Sequence, residues 1–132
     1  MNGKLIFQLS FFGLAMAIGT VFVIPSNVEP LFWLVIFILC AYLIARKAPG
    51  RYFLHGFLVS LMNCVWVTAA HVLLFDQYIS RHAEEAQMMA QLNLSISPRL
   101  LMAFTGPVFG IVSGIVLGLF SVIAARLTSK RP

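Results

Sequence analysis

Acidic residues are almost missing from this chain: four in 132, namely Glu29, Asp76, Glu84 and Glu85. None lies in the apolar body of a long hydrophobic run; Glu29 falls in the first turn of one. Proton coupling through a membrane-embedded carboxylate therefore has no residue to use. The two cysteines, Cys40 and Cys64, form no CxxC pair, so redox and thiolate–metal chemistry lack a motif. In apolar surroundings they read as small core side chains. There is no Ser-His-Asp set, no HExxH and no nucleotide-binding loop. Neither catalysis nor a cofactor is expected. Charged residues make up 10% of the chain, against about 25% in a soluble domain.

Apolar residues take their place, at 61% of the chain with a mean hydropathy of +0.96. They gather in four runs, residues 5–24, 28–45, 52–75 and 100–125. A spanning helix needs about 20 such residues, so the fold class is an all-α membrane protein, one transmembrane domain over residues 1–132. The first run is longer than the apolar core of a signal peptide and is expected to be a retained helix. Short links, Pro25-Ser26-Asn27 and Ala48-Pro49-Gly50, join the first three runs. They predict adjacent antiparallel helices and an up-down-up-down four-helix bundle. Asn27 is the expected N-cap of the second span, with Glu29 and Pro30 in its first turn. Ser97-Pro98 is the start signal of the fourth.

The pI of 9.8 suits nucleic acid, but the charges are placed for topology. Lys4, Arg46, Lys47, Arg51, Arg126, Lys130 and Arg131 fall on one side of a four-span chain; Arg81, Arg99 and all four acids fall on the other. The positive-inside rule then puts both termini and the 46–51 loop in the cytoplasm. The expected location is the cytoplasmic (inner) membrane, multi-pass, with the lipid bilayer as partner and no nucleic acid. Arg46, Lys47 and Arg51 also suit anionic lipid.

Between Phe57 and Ser97 the chain has neither Gly nor Pro, and residues 81–91 are rich in helix formers. The third span is expected to continue outward as one helix of about 40 residues, giving an extracytoplasmic helical arm over about 78–94. The alternative is a break near Asp76 and a helix lying on the outer leaflet. Ile79, Arg81, Glu85 and Met89 are the candidate partner-binding residues of this arm, with Arg81 and Glu85 an i,i+4 pair. Residues 92–97 alternate apolar and polar, as in an extended return segment, and include the glycosylation-type triplet Asn93-Leu94-Ser95.

The sharpest pattern is Gly106, Gly110, Gly114 and Gly118 in the fourth span. Steps of four drift only about 40° around a helix, so the glycines form one shallow groove, a glycine zipper. Each costs about 1 kcal/mol against alanine in a helix, which implies a helix pressed close against them. The partner is either a helix of the same bundle, with Gly13, Ala15, Ala17 and Gly19 of the first span the offered surface, or another copy of the chain; a glycine-rich pore-lining helix is the third reading. Ser113 and Ser121 flank the groove, and Pro107 is expected to kink the helix.

The third span carries the intramembrane polarity. Ser60, Asn63, Cys64, Thr68 and His71 share one broad face. Ser60, Asn63, Thr68 and His71 either line a small polar cavity or make interhelical hydrogen bonds. His55, on the opposite side, reads as interfacial. His82 and Glu85 stand i,i+3, a pairing used by metal sites in bundles, but one pair falls short of the three or four ligands needed; no metal is expected.

Two stretches, Phe53-Leu54-His55-Gly56-Phe57 running on to Tyr78-Ile79, and Gly106-Pro107-Val108-Phe109-Gly110 running through Ser113-Gly114 to Gly118, resemble a family of small bacterial inner-membrane proteins, uncharacterised domain family 4199. The resemblance covers about half the chain and implies four helices and a cytoplasmic-membrane location, with no activity attached. The reading overall is a non-catalytic accessory or interaction protein. It would bind a membrane or periplasmic protein through its arm, or a membrane helix through its glycine groove. The alternative is a homo-oligomeric small transporter or channel lined by the third helix.

Overall fold

The computed structural model describes residues 2–25, 27–92 and 97–129, without the side chains of Met89 and Leu92. The return segment at 93–96, its glycosylation-type triplet and the Met89 side chain thus lie outside the described residues. Every regular element described is helical: α1 (Gly3–Leu9), α2 (Phe11–Phe22), α3 (Glu29–Lys47), α4 (Tyr52–Leu73), α5 (Phe75–Arg81), α6 (Ala83–Leu92) and α7 (Pro98–Ser129). Four stretches are long and apolar enough to cross a membrane: Gly3–Phe22, made of α1 and α2, then α3, α4 and α7. At 32 residues and about 1.5 Å per residue, α7 is longer than the ~30 Å of a hydrocarbon core. It continues without interruption across Pro107.

Local signals set some helix ends. The Ser97 hydroxyl accepts the Leu100 N–H at 3.2 Å, capping α7 with Pro98 at its first position, as the sequence predicts. At α3 the expected cap gives way: Val28 holds the N-cap position with no side-chain hydrogen bond, and Pro30 occupies the first turn. Asn27 therefore does not cap this helix. The turn between α3 and α4 has positive φ at Gly50 (148°) and at Arg51 (51°), a left-handed conformation uncommon for a residue with a side chain.

His55 braces that turn. It is fully buried, and its Nδ1–H donates to the Arg51 carbonyl at 2.9 Å. Its Nε2 accepts the Asn2 N–H at 3.1 Å, which places the ring proton on Nδ1. One imidazole thus joins the starts of α1 and α4. It sits in the first turn of α4, near the end of the span where the sequence reading puts it, and is enclosed by protein because both partners are backbone groups at chain bends.

The core is organised around α4, which packs on α1 and α2, on α3 and, over its whole length, on α7. Thr68 lies against Gly106, Cys64 against Gly110, Phe57 against Gly114 and Phe53 against Gly118. Position numbers rise along α7 as they fall along α4, so this pair is antiparallel. Asn2 meets His55 and Thr20 meets His71, so the α1–α2 stretch runs parallel to α4.

The glycine stripe is therefore occupied from within the chain, by α4 and not by the first span. Gly56 supplies the reciprocal close approach: a Cβ there would sit 2.7 Å from the Leu117 carbonyl oxygen and 2.9 Å from the Gly118 Cα. Gly13 does the same on the other side of α4, where a Cβ would stand 2.6 Å from the Asn63 Cα. Both obstacles are backbone and cannot swing away.

Alanine substitution separates propensity from packing. Gly3→Ala, with nothing within 4 Å of its Cβ, is expected to leave stability unchanged or raise it by up to about 1 kcal/mol. Gly56→Ala is expected to lose about 1–3 kcal/mol by overpacking. Thermal unfolding of both variants in the same detergent checks the difference in sign.

Candidate functional site

The polar side chains of α4 divide between its two neighbours. Toward α7, Ser60 and Ser113 hydroxyls lie 2.8 Å apart. The Ser113 hydroxyl donates to the Phe109 carbonyl at 2.6 Å, which leaves Ser60 as donor in the pair. One turn on, the Cys64 thiol donates to the Gly106 carbonyl at 2.8 Å, and Thr68 closes over Gly106 itself. Toward α2, His71 Nε2 and the Thr20 hydroxyl are 2.8 Å apart, and Trp66 Nε1–H donates to buried Ser10 at 3.2 Å. Asn63 is buried against Gly13, and its amide makes no hydrogen bond.

The four candidate cavity residues are thus not brought together. Ser60 and Thr68 face α7, while Asn63 and His71 face α1–α2. Apart from Asn63, their polar atoms meet neighbouring polar groups, Thr68 meeting the Cys64 sulfur at 3.6 Å, as a polar group away from water requires.

A second polar cluster lies where α4 ends. The expected continuous helix is interrupted twice, at Leu74 (φ −109°, ψ 37°) and at His82 (φ −128°, ψ 70°). The first break turns α5 back onto the bundle. Tyr78 is buried in a cluster with Val21 and Met102, and Phe75 and Ile79 pack against it. The Tyr78 ring lies between two imidazoles, 4.0 Å from His71 and 4.0 Å from His82, with interplanar angles of 26° and 19°. His82 Nδ1–H donates to the Tyr78 carbonyl at 2.8 Å. His82 Nε2 and one Glu85 oxygen are buried without hydrogen-bond partners. Burial pushes the Tyr78 phenol above its usual range, and the Glu85 and Glu29 carboxylates add in the same direction. It stays protonated at physiological pH.

Of the arm residues, Ile79 turns inward and Arg81 is exposed. The break at His82 puts Arg81 and Glu85 on separate helices. Among the described residues the ion pair at this end joins Arg99 to Asp76, at 4.0 Å, with the Arg99 guanidinium 5.4 Å from the Phe75 ring centre. Among the described residues no three His, Cys, Asp or Glu side chains gather to hold a metal ion.

Tyr78 and His55 escape a reading of the sequence alone. The spacing of His71, Tyr78 and His82, seven and then four residues, was the available signal for the first, although it is the break at Leu74 that lets the His71 and Tyr78 rings meet. The second leaves none.

No protein-family model, no curated protein and no solved structure matches the chain.

The ring stack holds α5 against the bundle, and its removal should free that segment alone. Tyr78→Ala is expected to speed amide hydrogen exchange across residues 75–92 by tenfold or more, roughly the loss of 1.4 kcal/mol or more from a buried aromatic. Exchange in α4 and α7 should change little. Mass-spectrometric exchange in detergent reads both regions at once.

Proposed function

We propose that this chain is a small polytopic integral membrane protein of non-catalytic, accessory type. It places an outer helical segment, α5–α6, where another membrane or periplasmic protein docks. The observation that carries this reading is the internal use of α4's polar face. A channel or transporter built as a homo-oligomer needs Ser60, Asn63, Thr68 and His71 on a common passage. Their division between α7 and α1–α2 speaks for the accessory role.

The proposed topology is up-down-up-down, with both termini and the Gly50 turn cytoplasmic. Two observations support it: the antiparallel α4–α7 pair with the parallel α1–α2 and α4 pair, and the concentration of basic residues at the Gly50 end. The proposed location is the cytoplasmic membrane.

The partner surface narrows to α6. The glycine groove is filled by α4 and Ile79 packs inward, whereas Arg81, Glu84, Gln87, Met88 and Gln91 are exposed. Met88 is 56% exposed on a helix whose principal packing is on α5. An apolar side chain ringed by Glu and Gln suits a protein contact better than lipid.

A photo-cross-linking residue at Met88 tests this in intact membranes. The expected result is a discrete adduct with one other protein, lost when Arg81 and Glu84 are both replaced by Ala. A cross-linker at Leu31, on an apolar face, should give none. Absence of an adduct at Met88, or an adduct mass of two copies of this chain, contradicts the reading.

A further inference from the structure

Between α3 and α7 lies an open groove of about 450 Å³, lined by Ile38, Ala41, Tyr42, Phe120, Ile123 and Leu127. Its walls are apolar apart from Thr128 and the Tyr42 hydroxyl, and Ile38, Tyr42, Ile123 and Leu127 are each about half exposed or more. On membrane-spanning helices such a groove faces lipid.

What distinguishes it is the charge at one end. Arg46 stands one turn beyond Tyr42 on α3, followed by Lys47, and Arg126 follows Ile123 by three residues near the end of α7, about 60° round the helix on the outer rim of the groove. All three cations are exposed, and none has an ion-pair partner among the described residues. Glu29 is 17 residues before Arg46 on the same helix, roughly 25 Å away along the axis. Asp76, Glu84 and Glu85 belong to the end where α4 stops. The groove thus presents a mainly apolar slot with unneutralised cations beside one end of it, near the C-terminal ends of α3 and α7.

We infer that the α3–α7 groove is a binding site for an anionic phospholipid. One acyl chain lies along Ile38, Tyr42 and Ile123, and the phosphate sits against Arg46 and Arg126. The inference rests on the membrane-spanning reading, and the chemistry selects its occupant. A neutral lipid uses the slot but leaves the cations unpaired. Free phosphate pairs the cations but leaves the slot to lipid. A helix from a second copy covers the slot without needing the charge. Basic pockets between spanning helices at the cytoplasmic face hold anionic headgroups for the same electrostatic reason.

The test is native mass spectrometry of the full chain released from nanodiscs of phosphatidylcholine with a minor share of phosphatidylglycerol. Phosphatidylglycerol is expected to remain bound in preference to phosphatidylcholine. The double variant Arg46→Gln/Arg126→Gln should lower that preference by about tenfold or more, from the loss of two charges near the surface. Ile38→Trp, at an exposed position, should lower total lipid retention with the cations still in place. Equal retention of the two lipids overturns the proposal, as does an unchanged preference in the double variant. Inorganic phosphate retained as well as lipid overturns it too, and so does a dimer lost on Ile38→Trp. Recovery of the chain in the soluble fraction without detergent would instead refute the membrane reading beneath it.

Discussion

Close approach of α4 and α7 is the constraint on which the rest of the molecule depends. Lipid tails are as apolar as leucine, so apolar burial alone gives one spanning helix no reason to choose another. Shape supplies the reason here. Gly106, Gly110, Gly114 and Gly118 remove side chains from one stripe of α7, and Thr68, Cys64, Phe57 and Phe53 fill the space from α4. Gly56 returns the favour toward Leu117 and Gly118. Backbones brought that close put the Cys64 thiol on a main-chain carbonyl and Ser60 on Ser113. With α4 fixed by α7, its other side can accept α1 and α2 through Gly13, Ser10 and Thr20.

Polar side chains in this arrangement serve as connectors. His55 ties the first residues of α1 to the left-handed turn at Arg51, and His71 ties the far ends of α2 and α4. The two histidines stand 16 residues apart on α4, about 24 Å along its axis, so the first span is pinned to the third near both ends. The ring stack then carries this order past the end of α4 into α5. The three stacked rings anchor α5, with His82 Nε2 and one Glu85 oxygen left buried beside them without partners. That leaves the surfaces outside the bundle, α6 and the α3–α7 groove, as the sites proposed for contact with other molecules.

The four spans were legible because they need only length and hydrophobicity, and Ser97-Pro98 was legible because a cap is settled within a few residues. The glycine stripe announced a close contact, but its partner could not be read. Gly13 and Ala17 of the first span offer small residues too, and the choice of α4 depends on aromatic rings at 53 and 57 that look unremarkable in an apolar run. The breaks at Leu74 and His82 were hidden for a related reason. Residues 81–91 are rich in good helix formers and no Gly or Pro precedes them after Phe57, while the segment is held against the bundle by burial of Tyr78 with Val21 and Met102, a contact distant in sequence. The expected polar cavity failed to assemble because a broad face on a helical wheel can still point to two different neighbours. For His55, partners that are backbone groups of Asn2 and Arg51 leave no trace in composition.

The central claim is that α7 seats its glycines on α4 of the same chain. Ser60 and Ser113 face each other across that contact with hydroxyl oxygens 2.8 Å apart, close enough for paired cysteines to form a disulfide. The direct measurement is oxidation of the Ser60→Cys/Ser113→Cys variant, with Cys40 and Cys64 replaced by Ala, in native membranes. The account predicts a disulfide joining positions 60 and 113 within one chain at monomer mass, found by peptide mass spectrometry. A disulfide-linked dimer with no intrachain product would contradict it and move the glycine interface between chains.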